Sequence, residues 1–116
     1  LLLKAEALAS KGDFNGAMTL VNQVRTRAGI ASISASNQSD AIDKVLQERL
    51  MELAFEGDRW FDLKRMGKAI EVLSKQKDGS GNVLPFASNI NQNRLLWPIP
   101  QDKLDANAQL TQNPGY

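Results

Sequence analysis

Glu48, Glu52 and Glu56 recur at four-residue steps, which on a helix would stack three carboxylates along one row. Such a row could hold a pair of metal ions or, with two carboxyls at sugar-cleft spacing, cleave a glycosidic bond. The remaining composition withholds what either chemistry needs. Carboxylate-bridged di-metal sites take Glu-x-x-His motifs from facing helices, and the 116 residues include no histidine. A general acid drawn from Glu52 and Glu56 would need an apolar pocket to raise its pKa, whereas the interleaved Arg49, Arg59 and Arg65 lower it. The absence of cysteine removes thiol nucleophiles, disulfides and thiolate metal sites as well. No catalytic residue and no metal ligand is therefore assigned, no cofactor is implied, and an enzyme is not expected.

The same stretch carries a second pattern. Arg49, Glu52, Glu56, Arg59, Asp62 and Arg65 follow one another at steps of three or four, an ionic ladder if the helix is continuous. Arg59 is placed to fork between Glu56 and Asp62, with Arg49 and Arg65 closing the ends. The like-charged neighbours Glu48, Glu52 and Glu56 repel, so basic groups from elsewhere in the fold are expected to join them. A partly buried ionic network follows.

Sugar recognition is the other chemistry open to these residue types. Trp60 and Trp97 are flat enough to stack on a pyranose, but each lies in an apolar run, beside Phe61 and Leu63 or beside Leu95, Leu96 and Ile99. Aromatics in such runs are expected in the core. Residues 77–94 alone have the Asn, Gln and Ser density that sugar hydroxyls use, and a solvated connector is the plainer reading. No ligand-binding residue is assigned. Fourteen basic against thirteen acidic residues leave a net charge of +1, interleaved and not clustered, so no nucleic acid is implied.

The elements that would position these groups are helical. Residues 1–10 place Leu1, Ala5, Leu8 and Ala9 on one face; residues 14–28 place Ala17, Leu20, Val21 and Val24. Between them Gly12 suits a left-handed helix end and Asp13 a helix cap. Arg25 and Arg27 fall in the last turn of the second helix, where its dipole favours cations. After a polar loop at 31–38, Ser39 or Asp40 caps a third helix whose core face is Ile42, Val45, Leu46, Leu50 and Leu53. Gly57 interrupts it before 58–66 resumes, and a short helix at 68–75 follows. Residues 77–82 form a turn, 95–100 are extended by Pro98 and Pro100, and 101–107 make one or two helical turns. No apolar run approaches the roughly 20 residues that span a bilayer. Leu1, Leu2 and Leu3 enter a helical pattern with no capping residue, so the chain is expected to start inside a helix of a longer protein.

ERLMELAFEGDRWFDLKRMG from Glu48, then LLWPIPQDKLDAN and the terminal LTQNPGY, resemble in order and spacing the C-terminal part of the SusD/RagB family. AEALASKGDFNGAMTLVNQVRTRAGI extends the resemblance upstream, so that it covers most of the chain. Lys103, where an acid is common, and Ala108, where proline is common, depart from the pattern. The resemblance implies a surface lipoprotein of the outer membrane that binds glycans or other nutrients beside a TonB-dependent transporter. It implies an all-α fold: a tetratricopeptide-like hairpin over 1–29, helices with the ionic ladder over 39–75, and a loop and extended tail over 76–116. The ligand, an oligo- or polysaccharide, would be held through the full-length protein, with this part mainly scaffold and the lipid anchor elsewhere. The alternative is a tetratricopeptide-like module that binds protein partners in a helical groove. The PIP segment and the QNPGY terminus speak against it, because repeat adaptors need neither.

Overall fold

The computed structural model describes all 116 residues. Six α-helices run in order: α1 (Leu2–Ser10), α2 (Phe14–Arg27), α3 (Gln38–Glu52), α4 (Asp58–Arg65), α5 (Ala69–Leu73) and α6 (Gln101–Ala106). A 3-10 turn occupies Gln92–Leu95, and the sole strand-like pairing is an isolated bridge between Lys77 and Val83. The fold is all-α, with a helical hairpin, an interrupted third helix and an extended proline-bearing tail. Two compact units divide the chain, Leu1–Asp62 and Leu63–Tyr116.

The first unit is a three-helix core. Leu2, Ala5 and Ala9 of α1, Ala17, Met18, Val21 and Val24 of α2, and Ala41 and Val45 of α3 are buried together. Four of these are alanines with no exposed surface, and so small a side chain lets helix backbones approach closely. Leu2 takes the position expected of Leu1, which is exposed; the helix begins at Leu2 and its apolar stripe runs through 2, 5 and 9. Leu50 is likewise exposed, and buried Glu48 and Arg49 replace Leu50 and Leu53 on the inner face of α3. A charged pair inside displaces leucine when partners from neighbouring elements are waiting for it.

The turns follow their residues. At the end of α1 the Gly12 N–H donates to Ala9 O and the Asp13 N–H to Leu8 O, a Schellman closure that requires the left-handed Gly12 (φ 89°). The same pair of bonds recurs at Gly29 and Ile30 after α2. Asp13 then caps α2, accepting from the Gly16 N–H at 2.9 Å. For α3 the cap is Asn37, which accepts from the Asp40 N–H at 3.0 Å, a few residues earlier than Ser39 or Asp40 would place it. Asp40 is instead occupied by the Ser36 N–H at 2.8 Å and the Lys44 ammonium at 2.7 Å.

Two side-chain amides hold segments that no helix or sheet supports. Asn22 donates to Ile33 O and accepts from Ile33 N–H, both at 2.8 Å, and so pins the α2–α3 loop to α2. In the second unit Gln112 treats Ile99 identically, at 2.8 and 2.9 Å, while Asn113 donates to Trp97 O and the Tyr116 hydroxyl to Leu96 O. Pro98 and Pro100 have no N–H to offer, so the extended segment cannot pair as a regular strand. The amide of Gln112 substitutes for the missing strand. Asp78 organises the other turn of this unit, accepting from the Ser80 and Asn82 N–H groups at 2.9 Å.

Gln112→Ala should cost the second unit about 1–3 kcal/mol, because two backbone groups of Ile99 lose their partner together. Urea melts followed by Trp97 fluorescence would measure it, and an unchanged midpoint would mean that the tail is held by something else. Acid should act at Asp40. The Lys44 hydrogen bond, then the Ser36 N–H, lower its pKa from 3.8 to about 2. A depressed carboxylate stabilises the fold above 3.8 and loses that contribution as pH falls through about 2. An NMR titration of the Asp40 carboxyl carbon should therefore show its midpoint near the lower value.

Candidate functional site

The charged residues of 48–65 do not form a single row. α3 ends at Glu52, Phe55 and Gly57 take left-handed backbone angles (φ 68° and 86°), and α4 begins afresh at Asp58. For a bulky residue such as Phe55 that region costs about 1–3 kcal/mol. This break separates Glu56 from the helical row, and the three-carboxylate stack does not exist. Instead, the acids are matched across elements. Arg25 of α2 donates to Glu48 of α3 at 2.9 Å, and Arg27 pairs with Glu52. Arg49 of α3 forks onto Asp62, its Nε at 2.5 Å from one carboxylate oxygen and a terminal N–H group at 3.0 Å from the other. Arg59 donates to the Leu46 carbonyl at 3.1 Å.

The expected basic groups from elsewhere are therefore Arg25 and Arg27. Their place in the last turn of α2 serves ion pairs, not only the helix dipole. The expected fork of Arg59 onto Glu56 and Asp62 is replaced by the Arg49 fork onto Asp62. The helix break decides this, because it folds α4 back so that residue 62 meets residue 49. Side chains of Arg49 and Asp62 are only 7% and 5% exposed, and that of Glu48 4%. Burial pushes the Arg59 guanidinium below its ordinary pKa, opposed by the nearby charge of Asp62. The buried carboxylates of Glu48 and Asp62 are each engaged by a guanidinium, Arg25 and Arg49 respectively.

The aromatics are less buried than their apolar surroundings suggest. Trp60 is half-buried, but Trp97 is 82% exposed, and Phe55, Phe61 and Phe86 are exposed as well. Trp97 was expected in the core. The tail around it is tied down through its backbone by Gln112 and Asn113, which leaves the indole free to face water.

Within the second unit a hollow of about 460 Å³ is lined by Phe86, Asn89, Ile90, Asn91 and Arg94. All five fall in the 77–94 stretch, with its Asn, Gln and Ser density. Asparagine chemistry shapes its rim: Asn91 accepts from the N–H groups of Asn93 and Arg94 and caps the 3-10 turn, while Asn89 donates to Pro85 O. A second hollow, in the first unit, is walled by Leu1, Leu2, Leu3, Val24 and Leu53, with Arg27 and Glu52 at its edge.

Against known proteins, the family model described as the SusD family matches residues 1–116, the whole chain. The chain belongs to the SusD family. Two SusD-like proteins of Formosa agariphila are 34% and 37% identical to it, each over all of this chain. The crystal structure of a SusD-like protein from Bacteroides fragilis superposes with a TM-score of 0.77 at 27% identity, over 99% of this chain. A SusD superfamily protein from Parabacteroides distasonis gives 0.70 at 31% identity, also over 99%. The chain spans about a quarter of the length of these relatives, 23% and 24% of the Formosa proteins and 24% and 25% of the two solved chains.

Removing one member of the buried pair should be severe. Asp62→Ala leaves the Arg49 guanidinium buried and unpaired, at a cost of about 3–5 kcal/mol. Exchanging both, Arg49→Met with Asp62→Leu, should recover most of the loss. Thermal melts of both variants beside the unaltered protein decide the point; an Asp62→Ala protein melting like the parent would reduce the pair to ordinary surface charge.

Proposed function

We propose that this chain is the C-terminal part of a nutrient-binding lipoprotein on the surface of the outer membrane. The parent captures a glycan fragment and passes it to a TonB-dependent transporter of the SusC type. It performs no covalent step. The observation that carries this reading is the match of the SusD family model across residues 1–116, supported by superposition on two solved SusD-like structures.

On this reading the first unit is scaffold. Arg25, Arg49, Glu48 and Asp62 are engaged in ion pairs and Asn22 in pinning a loop, and its core is aliphatic. On the same reading the hairpin (1–29) lies within that scaffold, the ladder helices (39–75) run from it into the second unit, and the tail (76–116) belongs to the second unit. No helix of the chain is long and apolar enough to cross a membrane; on this reading a lipid carried by the parent anchors it. A repeat adaptor would have no use for the clamp that Gln112, Asn113 and Tyr116 close over the PIP segment.

Calorimetric titration of the full-length parent against a panel of glycans tests the reading. The parent should bind at least one member saturably, whereas the 116-residue chain should take up no neutral oligosaccharide. Affinity purification of the parent from detergent-solubilised outer membranes should bring down a transporter barrel. A parent that binds no glycan and travels without a transporter would overturn the proposal.

A further inference from the structure

Arg94 is held differently from Arg25, Arg27, Arg49 and Arg59. Arg25, Arg27 and Arg49 are each paired with a carboxylate, and Arg59 with a carbonyl. Arg94 pairs with no carboxylate and donates to no carbonyl. Its guanidinium carbon stands 5.0 Å from the centre of the Tyr116 ring, a cation–π arrangement that orients the group without neutralising it. Tyr116 is itself fixed by its hydroxyl, which donates to Leu96 O at 2.8 Å. Beneath Arg94 the backbone is held by the Asn91 side chain, which accepts its N–H at 3.3 Å. A charged fork is thus positioned at the wall of the hollow and left without a counter-ion.

The other walls complete a recognisable chemistry. Phe86 is 52% exposed and presents an aromatic surface to the hollow, with Ile90 beside it. Asn89 spends one amide N–H on Pro85 O and keeps its carbonyl oxygen available to a hydroxyl donor. An aromatic face, an amide and a guanidinium are the groups that take a pyranose ring, its hydroxyls and an anionic substituent. The hollow, about 460 Å³, lies within the range of small-ligand sites, roughly 300–1,000 Å³. The chain's net charge of +1 rules out general attraction for anions, so any selectivity for them must be local.

We propose that the hollow formed by Phe86, Asn89, Ile90, Asn91 and Arg94 is a subsite for an anionic sugar, a pyranose bearing a carboxylate or a sulfate ester. Arg94 receives the two anionic oxygens in a bidentate fork, and Phe86 packs against the ring. This deepens the glycan-binding reading above and rests on it: the one place where this part of the protein touches ligand is here, and it selects charge.

The test is a calorimetric and NMR titration of the 116-residue chain with trigalacturonate, a sulfated galactotriose and uncharged galactotriose. One or both anionic probes should bind saturably, at least about tenfold tighter than the uncharged one, and more weakly in high salt. The better of the two identifies the anionic group. Arg94→Gln should lower that affinity about tenfold, as the fork is lost. Phe86→Ala, which leaves the Arg94–Tyr116 pair untouched, should also weaken binding and decides the matter if the Arg94 variant fails to fold. Absence of saturation with both anions, equal binding of the uncharged probe, or unchanged affinity in Phe86→Ala overturns the subsite. If the parent still binds neutral glycans, the subsite alone falls; if the parent binds none, the broader reading falls with it.

Discussion

The first unit depends on guanidinium groups taken out of water. Arg49 lies against Asp62 with both side chains nearly inaccessible, and Arg25 reaches Glu48 from the next helix. Desolvating such ions is costly, and attraction repays it only when the geometry is good and the hydrogen bonds are complete. The bidentate fork of Arg49 meets that condition. Aliphatic packing tolerates sliding of one helix along another, whereas a forked ion pair does not. Arg25–Glu48 therefore sets α2 against α3, and Arg49–Asp62 sets the start of α4 against α3. The left-handed backbone at Phe55 and Gly57 is the accompanying distortion that turns the chain back sharply enough for the second pair to form.

The second unit solves a different problem. It has little regular structure and few buried apolar residues, Leu63, Ala69 and Ala87 among them. Its backbone groups must still be satisfied. The amides of Gln112 and Asn113, the hydroxyl of Tyr116 and the carboxylate of Asp78 do this in place of helix or sheet partners. The QNPGY terminus reads as a set of hydrogen-bonding tools for a segment that prolines have barred from pairing. Holding the tail by its backbone has a consequence for its side chains, since Trp97 need not be buried to keep the segment in place. The same economy frees Arg94, whose orientation comes from an aromatic ring and not from an acid.

These two strategies suit a division of labour in a SusD-family protein. In the helical unit Arg25, Arg27 and Arg49 are each matched by a carboxylate of the same unit. The irregular unit carries exposed aromatic and polar groups on loops, where recognition usually sits.

Much of this was legible in the residues. Gly12, Gly29 and Asp13 announced the hairpin because a left-handed helix end and a carboxylate cap are local demands, settled within four or five residues. The extended PIP segment followed from proline geometry, and the family from three ordered blocks that include it. The need for outside cations to join Glu48 and Glu52 was readable from their mutual repulsion. Which cations, and which acid each would take, was not. Spacing along one helix favoured Arg59 for Asp62, and only the break after Glu52 brought Arg49 there instead. Periodicity put Leu1 and Leu50 inside, and its apolar run put Trp97 there, because both count apolar residues and cannot see a buried ion pair or a backbone clamp competing for the same surface. The cap of α3 moved to Asn37 because Asp40 was claimed by Lys44 and Ser36. Local conformation was written in the sequence, whereas partner choice among distant polar groups was decided by the tertiary structure, since it depends on distances that no stretch of sequence contains.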